Sequence, residues 1–173
     1  MNIFITVGAQ MPFDRLIEAV DAWAASQQGV DRHSLFAQIG ETGYRPAHIE
    51  FVEMLEPPEF RKRVLWADVL VAHAGIGSIL TALQYGKPIL VMPRLGRLKE
   101  TRNDHQVATA LRFKEMNKVA VAMDESEIPA QLAVLPTLGR TERISPRASD
   151  ELIATIYGYI HSGSHDGNHH SGA

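Results

Sequence analysis

Short apolar runs alternate with segments of helical period along most of this chain. Five runs rich in isoleucine, valine and leucine predict buried strands: Ile3–Val7, Leu35–Ile39, Val69–Ala72, Ile89–Met92 and Val119–Ala122. A run that is apolar at nearly every position is typical of a strand covered on both faces, as in a parallel sheet flanked by helices. The pattern therefore predicts one α/β domain with a parallel sheet.

The segments between these runs have the spacing of amphipathic helices. Apolar residues recur at helical period over Phe13–Ala24, and Gly29 follows as a stop signal. Pro57 and the proline after it suit the first turn of a helix that runs through Leu65. Three more helices are predicted over Ser78–Tyr85, Asn103–Phe113 and Ser149–Ile160.

Length and charge narrow the class of protein. The 173 residues suit a single domain over residues 1–162, followed by a disordered tail over 163–173 that is rich in glycine, serine and histidine. The 17 basic and 20 acidic residues are spread through the chain and give a net charge of -3, so nucleic acid is not an expected partner. Histidines of the tail could bind metal, but a solvated tail is the simpler interpretation.

Other classes are excluded by what the sequence lacks. It has no cysteine, which rules out disulfides and thiolate chemistry and fits a reducing compartment. No signal peptide is expected before the strand-like run Asn2–Val7, and no run approaches the ~20 apolar residues of a membrane span. We therefore expect a cytoplasmic protein that something else holds at a membrane if it acts there.

The segment Ala67–Ala110 carries the chemistry. A predicted strand ends at His73, and a helix is predicted from Ser78; the small-residue turn between them is Ala74, Gly75, Ile76 and Gly77. In an open parallel sheet, ligands bind at the carboxyl ends of the strands, where such a turn lies. Glycines allow close backbone approach, and the N–H groups of a helix start favour a phosphate. The turn predicts an anionic ligand, although many glycine turns are purely structural.

A second polar loop follows the next strand. After Pro93 come four basic residues and then a polar run at the next helix start: Arg94, Arg97, Lys99 and Arg102, followed by Asn103, Asp104, His105 and Gln106. Two successive strand ends thus direct hydrogen-bonding groups to one crevice. Taken alone, the basic loop could equally be a solvated turn, and Asn103 or Asp104 a helix cap.

These residues resemble a known family. The segment HAGIGSILTALQYGKPILVMP followed by DHQVATA is similar to the donor-binding motif in the C-terminal domains of glycosyltransferase family 28 and related UDP-sugar transferases. The opening IFITVGAQMPFDRLIEAVD, with FAQIG after it, resembles more narrowly the small subunits of two-component transferases. These include the dolichol-linked N-acetylglucosaminyltransferase and bacterial exopolysaccharide enzymes. The resemblance covers about residues 1–125.

The resemblance implies a fold and a reaction. The fold would be a single Rossmann-like domain, like the donor-binding, C-terminal half of a GT-B glycosyltransferase. The reaction would transfer a sugar, with inversion, from a UDP-sugar to a lipid-linked or polysaccharide acceptor in exopolysaccharide biosynthesis. A GT-B cleft needs two domains and this chain has room for one, so a membrane-associated partner would bind the acceptor and hold the chain at the inner face of the membrane. The isolated chain could form a homodimer.

The resemblance also implies a set of donor-binding residues. Gly8 and the turn from His73 to Ser78, which contains Ala74, Gly75 and Gly77, would face the diphosphate. Gln106, with His105 or Asp104, would bind sugar hydroxyls. Many relatives carry a glutamate where this chain has Thr81, so a ribose contact at that position is not expected.

Charge on the leaving diphosphate needs a counter-charge. The sequence has no Asp-x-Asp pair, the usual metal handle of the other large transferase fold, so no metal or other cofactor is expected. Helix N–H groups and basic side chains such as Arg94 or Arg102 would balance the charge instead.

No residue stands out as the general base that takes the acceptor proton. Asp14 and His73 are weak candidates. Asp14 equally fits an acid stabilised by a helix dipole, and His73 fits the cap of a buried strand end. The base could instead lie on the partner.

Two other functions remain open. Gly75 and Gly77 imitate the G-x-G-x-x-G of nicotinamide-binding proteins, but Leu80 occupies the third glycine position. A non-catalytic nucleotide-sugar-binding regulatory module would share the binding residues and lack only turnover.

The predicted terminal helix has an apolar stripe that either docks a partner or packs on the chain's own sheet: Leu152, Ile153, Ile156, Tyr157 and Ile160.

Overall fold

The computed structural model describes residues 1–9, 11–27, 31–41, 43–117, 119–135 and 154–155. The chain forms two compact units, Met1–Arg143 and Ile144–Ala173, and every strand and helix given below belongs to the first. Of the second unit, residues 154 and 155 are described and are helical. The rest of the predicted terminal helix, with its apolar stripe, and the predicted tail lie outside the described residues.

Six parallel strands form one sheet in the order β3-β2-β1-β4-β5-β6. Their bounds are β1 (Ile3–Thr6), β2 (Leu35–Gln38), β3 (Glu50–Val52), β4 (Val69–His73), β5 (Ile89–Met92) and β6 (Ala120–Val121). The central strands β1 and β4 pair in register, Ile3 with Val69 and Thr6 with Ala72. The predicted α/β domain with a parallel sheet is confirmed, and five of these strands lie where the apolar runs predict them.

Helices lie in most of the connections between the parallel strands, as is usual for such pairing; the connection from β2 to β3 has none among its described residues. Their bounds are α1 (Asp14–Ser26), α2 (Pro57–Trp66), α3 (Ile76–Tyr85), α4 (His105–Glu115) and α5 (Ile128–Val134). Short 3-10 turns lie at Arg32–Ser34, Gly96–Leu98 and Glu125–Glu127. Helix α3 starts before the predicted Ser78 because Gly75 is extended and takes the N-cap position, and it ends where Gly86 adopts a left-handed conformation. No described helix is long and apolar enough to cross a bilayer.

Alternate residues of β1 face opposite sides of the sheet, and helices cover both. Ile3 and Ile5 belong to the same core cluster as Leu16 of α1. Phe4 points the other way and meets the ring of Phe60 in α2 edge-on, with 5.3 Å between ring centroids. Burial of each such side chain stabilises the fold by roughly 1.5–3 kcal/mol. This packing fixes the carboxyl ends of β1 and β4, where the predicted ligand site lies.

The carboxylate of Asp21 in α1 fastens the long connection between β2 and β3. It accepts hydrogen bonds from the Tyr44 hydroxyl at 2.7 Å and from the N–H groups of Ala47 and His48 at 3.0 and 2.7 Å. Burial raises the pKa of Asp21, but these hydrogen bonds outweigh burial and hold it below its usual value. The same contact raises the pKa of Tyr44 to about 12.

Candidate functional site

The strand order reverses between β1 and β4, the point at which an open α/β sheet is expected to form a crevice at the carboxyl ends of its strands. Connections from the two strands leave toward opposite faces of the sheet, and this is where open α/β sheets bind ligands. Gly8 follows β1, and His73 ends β4. The fold therefore brings Gly8 to the turn from His73 to Ser78, although the two segments lie far apart in the sequence.

The imidazole of His73 lies between Gly8 and Gly75. A Cβ atom at Gly8 would stand 2.7 Å from Cε1 of His73, and one at Gly75 would overlap Nε2. Gly8 also has a φ of +79°, which favours glycine on its own. These two glycines make room for the histidine ring, whereas the sequence suggested that they make room for a ligand.

His73 is neutral at physiological pH. Burial, and then the positive charge of Arg94, lower its pKa to about 4, and a backbone contact with Thr6 offsets part of this effect. Its Nδ1 atom is buried without a hydrogen bond of regular geometry among the described residues. A ring with so low a pKa is a poor general base near neutral pH, so a binding or positioning role suits His73 better than a catalytic one.

The first part of the turn is occupied by the protein's own contacts. Ala74 is 1% exposed, and its N–H donates to the carbonyl of Met92 at 2.9 Å. The N–H of Gly75 donates to the carbonyl of His73 at 2.8 Å. The predicted ligand contacts of Ala74 and Gly75 therefore cannot use these N–H groups without breaking existing bonds.

The start of α3 differs in this respect. The first hydrogen bond that returns to Gly75 comes from Ile79, at 3.2 Å. Within the described residues, the N–H groups of Ile76, Gly77 and Ser78 have no acceptor, as expected for a first helical turn without a capping side chain. A Cβ atom at Gly77 would have no protein atom within 4 Å. Free donors, the positive end of a helix dipole and open space thus coincide at Gly77.

Gln38 is a buried polar residue at this edge that sequence reasoning missed as a site residue. Its Nε2 donates to the carbonyl of Gly8 at 3.1 Å, and the N–H of Gly8 donates to Oγ1 of Thr6 at 3.2 Å. The Oε1 atom of Gln38 is buried and has no partner among the described residues. The available signal was a polar residue inside the otherwise apolar run Leu35–Ile39.

Arg94 is 4% exposed and braces the loop after β1. Its guanidinium donates to the carbonyl of Val7 at 2.8 Å and to that of Met11, and it lies 5.2 Å from the ring centroid of Phe13. Burial lowers the pKa of Arg94, and no carboxylate forms an ion pair with it within the described residues. The prediction that Arg94 offsets diphosphate charge stays a prediction, and its Nη2 is already engaged by two backbone carbonyls.

Gln106 supports Arg94 from the next helix. It is 6% exposed, and its Oε1 accepts a hydrogen bond from the backbone N–H of Arg94 at 3.2 Å. This bond fixes the orientation of the amide, and Nε2 is left without an acceptor in the described part of the chain. Gln106 can therefore offer a donor to a ligand oxygen, such as a sugar hydroxyl.

The neighbouring predicted ligands are exposed. Asp104 holds the N-cap position of α4, but its Oδ1 accepts from the N–H of Gly96 at 2.7 Å and does not cap the helix. The Nδ1 atom of His105 contacts Oδ1 of Asn103. These side chains lie beside Gln106 in sequence at the rim, and their predicted sugar contacts stay predictions.

Asp14 is the remaining predicted candidate, and Thr81 is the position at which no ribose contact is expected. Asp14 begins α1 after the Gly8 loop, and its Oδ1 is buried without a partner among the described residues. Its Oδ2 lies 3.4 Å from where a Cβ at Gly43 would stand. The hydroxyl of Thr81 already donates to the carbonyl of Gly77 at 2.8 Å. The described residues contain no cluster of three or more acids and histidines that could hold a metal.

An ion-pair network that the sequence did not predict anchors the loop after β5. The guanidinium of Arg15 binds both carboxylate oxygens of Glu100, at 2.7 and 2.8 Å, and the carbonyl of Pro93 at 3.0 Å. It also pairs with Glu125 at 2.9 Å. Glu100 in turn accepts from the N–H of Leu95 at 2.8 Å. Both Arg15 and Glu100 are nearly buried, so this bidentate pair is held more firmly than an exposed one.

Comparison with known proteins agrees with this geometry. Residues 2–143 match the glycosyltransferase family 28 C-terminal domain. The chain belongs to this family. The family resemblance that the sequence motifs carry is thereby confirmed, and the fold is that of the GT-B glycosyltransferases found among similar structures.

Individual relatives are more distant. The chain is 25% identical over 181 residues to the mouse UDP-N-acetylglucosamine transferase subunit ALG13, with 92% of this chain and 15% of the relative covered. The crystal structure of Acinetobacter baumannii MurG aligns with a TM-score of 0.58 at 18% identity, over 93% of this chain and 49% of that one. The solution structure of ALG13 aligns with a TM-score of 0.55 at 18% identity, over 90% and 96%. The chain thus spans under a sixth of the curated relative and about half of MurG.

Proposed function

We propose that this chain is the donor-binding subunit of an inverting, UDP-sugar-dependent glycosyltransferase. The observation that carries the proposal is the start of α3, where three N–H groups lack acceptors in the described part of the chain and Gly77 borders open space. A diphosphate supplies anionic oxygens for such donors and gains from the helix dipole. Membership of a glycosyltransferase family supports a nucleotide-sugar as the source of that diphosphate.

The proposed reaction is a single displacement with inversion. An acceptor hydroxyl attacks the anomeric carbon from the side opposite the diphosphate, the bond from that carbon to the diphosphate oxygen breaks, and UDP leaves. The N–H groups of Ile76, Gly77 and Ser78 stabilise charge as it develops on the leaving oxygen. The hydroxyl proton passes to a general base, and because the pKa of His73 is about 4, we assign that base to the acceptor side.

We further propose that a membrane-associated partner provides the acceptor side. The chain matches about half of MurG, and the mouse relative is itself described as a subunit. In this arrangement the chain is a cytoplasmic protein held at the inner face of the membrane, and the acceptor is a lipid-linked or polysaccharide glycan of exopolysaccharide biosynthesis. Alone, the chain would bind donor, transfer sugar poorly and could pair with a second copy.

The donor sugar is the open part of the proposal. The free Nε2 of Gln106 fits any sugar that presents a hydroxyl to it. A uronic acid would add a carboxylate for the basic loop, whereas glucose, galactose or N-acetylglucosamine would not. Titration calorimetry with UDP and a panel of UDP-sugars separates these cases, and NADP in the same panel tests the nicotinamide alternative.

Gly77→Val is the direct test of the site. A Cβ atom at Gly77 has open space around it, so we expect the melting temperature to change little while UDP affinity falls at least tenfold, about 1.4 kcal/mol. Gln84→Val, at an exposed position of the same helix, is the matched control and should leave UDP affinity unchanged. Equal UDP affinity in Gly77→Val and the unaltered protein would place the diphosphate elsewhere.

A regulatory module is the second candidate, because it would need the same binding residues. The discriminating measurement is UDP release and glycan product with a lipid-linked acceptor, with and without the candidate partner. Donor binding without turnover in the complete complex would favour the regulatory function. Full turnover by this chain alone would contradict a divided acceptor site.

A further inference from the structure

Most basic side chains described on the surface are engaged by other groups. Three pair with acids on neighbouring positions: Arg45 with Glu53, Lys62 with Glu59 and Arg112 with Glu115. Others lie over aromatic rings or donate to carbonyls: Arg61, Arg63 and Lys87. The loop after β5 is different. Its three exposed cations, Arg97, Lys99 and Arg102, have no ion pair or hydrogen bond within the described part of the chain.

The acids of the same loop do not neutralise these cations. Both carboxylate oxygens of Glu100 are bound by Arg15, and one also accepts from the N–H of Leu95. Asp104 is exposed and accepts from the N–H of Gly96, so it contributes one negative charge at the edge of the loop. Three positive charges therefore face solvent against one negative charge.

The loop holds a fixed shape. Successive backbone bonds join Leu98 to Leu95 at 3.1 Å, Lys99 to Gly96 at 2.9 Å and Glu100 to Leu95 at 3.3 Å. Together with the Arg15–Glu100 pair, these bonds make a rigid platform on which the cations stand. Less conformational entropy is lost when a partner binds to a rigid platform than when it orders a flexible loop.

An apolar side chain stands among the cations. Leu98 is 45% exposed and lies between Arg97 and Lys99 in the 3-10 turn. A nucleic acid backbone or an acidic protein surface would pair with the charges but would gain little from this leucine. The interface of an anionic bilayer can contact the cations and the leucine together, because its phosphate headgroups lie directly above the acyl chains.

We propose that residues 96–102, the β5 loop, bind the phosphate headgroups of an anionic lipid surface. The cations contact phosphates, and Leu98 enters the boundary of the acyl region. The loop follows β5 at the same edge of the sheet as the glycine turn, so this contact turns the donor crevice toward the membrane. The sequence predicts that something else holds the chain at a membrane if it acts there; the β5 loop adds a direct contact of its own.

The expected contact is weak and sensitive to salt. Each cation near an anionic leaflet contributes about fivefold in partitioning, so three contribute on the order of 100-fold. The whole chain carries a net charge of -3 and would otherwise be repelled by such a surface. The β5 loop therefore orients the protein on the membrane and does not anchor it alone.

Vesicle co-sedimentation of the full chain tests the proposal without any nucleotide. We expect binding to phosphatidylcholine vesicles that contain phosphatidylglycerol, little binding to pure phosphatidylcholine, and loss of binding in high salt. Arg97→Gln combined with Lys99→Gln should weaken binding roughly 25-fold, and Leu98→Asn should weaken it further. The matched control, Arg112→Gln combined with Lys114→Gln on α4, removes the same charge from another exposed surface and should change binding by less than about threefold.

Melting temperature and UDP affinity of each variant show that the fold and the donor site are intact, so this test can fail while the proposed function stands. The proposal is overturned if anionic vesicles bind no better than neutral ones at low salt, or if the α4 control loses as much binding as the loop variant. It is also overturned if the loop variant retains vesicle binding but loses affinity for a UDP-linked uronic acid, which would assign the cations to the donor.

Discussion

The turn after β4 and the loop after β5 meet at one edge of the sheet, yet they use their polar groups in opposite ways. At the start of α3 the backbone donors of Gly77 and its neighbours have no acceptor among the described residues, and no described side chain comes within 4 Å of where a Cβ at Gly77 would stand. After β5, by contrast, Arg94 and Gln106 at the start of α4 are buried, and each is hydrogen-bonded to the protein's own backbone. The difference teaches that conspicuous polar side chains at a strand end can organise a site whose ligand is held by main-chain groups.

The same contrast separates two glycines within one turn. Gly75 faces the ring of His73, whereas Gly77 faces no protein atom. Only the second has room for a ligand without displacement of a side chain. A substitution at Gly75 or His73 should therefore change the stability of the fold, and a substitution at Gly77 should change ligand binding.

The largest expected effect comes from protonating His73. The pKa of His73 is about 4 in the folded protein and 6.5 when unperturbed. Between pH 4 and 6.5 the ring is therefore protonated in the unfolded chain and neutral in the folded protein. Stability is then complete above about pH 6.5 and falls as the pH drops toward 4, by up to about 3 kcal/mol. Urea unfolding across this range, compared with His73→Gln, measures the effect.

The pH range over which stability is lost distinguishes His73 from Asp21. Asp21, whose pKa is lowered, also destabilises the fold in acid, but only near and below the ordinary pKa of 3.8. Identical pH dependence of His73→Gln and the unaltered protein between pH 4 and 6.5 would show that the ring is not the group held neutral.

A smaller effect is expected from Gly75→Ala. The added methyl overlaps the imidazole and must displace it or the turn, which typically costs about 1–3 kcal/mol. Truncating the ring removes the clash with the added methyl group. The double variant Gly75→Ala with His73→Ala should therefore be less destabilised than the sum of the two single effects. Thermal and urea unfolding of all four proteins give the coupling. Strict additivity would mean that the two side chains do not compete for space.

The smallest effect concerns Gln106 of α4, whose Nε2 has no acceptor among the described residues. Gln106→Ala should weaken binding of a UDP-sugar relative to UDP by about 1 kcal/mol, the net value of one neutral hydrogen bond. The ratio of the two affinities, measured by calorimetry, removes any shared effect of losing support for Arg94. An unchanged ratio would mean that Gln106 only supports Arg94 and does not contact the sugar.

Much of the fold could be predicted from periodicity because its central strands are continuous apolar runs. Strand β3 was missed, since Glu50–Val52 is short and half-buried and its identity depends on pairing with β2. Helix α5, with seven residues and a proline in its first turn, was too short for its period to stand out. These elements are set by tertiary contacts more than by local preference.

The location of the candidate site could also be predicted, because parallel strands bring successive carboxyl ends to one edge. The detailed roles could not. That His73 fills the space at Gly8 and Gly75 depends on the register between β1 and β4, which no local pattern contains. The bracing role of Arg94 depends likewise on carbonyls at Val7 and Met11, far from it in the chain.

The enclosure of His73 by two glycines also constrains how this sequence can change over time. A side chain at Gly8 or Gly75 is blocked while the imidazole is present, and a smaller residue in place of His73 would leave a void between them. Substitution at any one of the three positions is therefore disfavoured until another has changed. Descendants of this chain should keep the trio together or replace its members jointly, so these distant positions should covary as one unit.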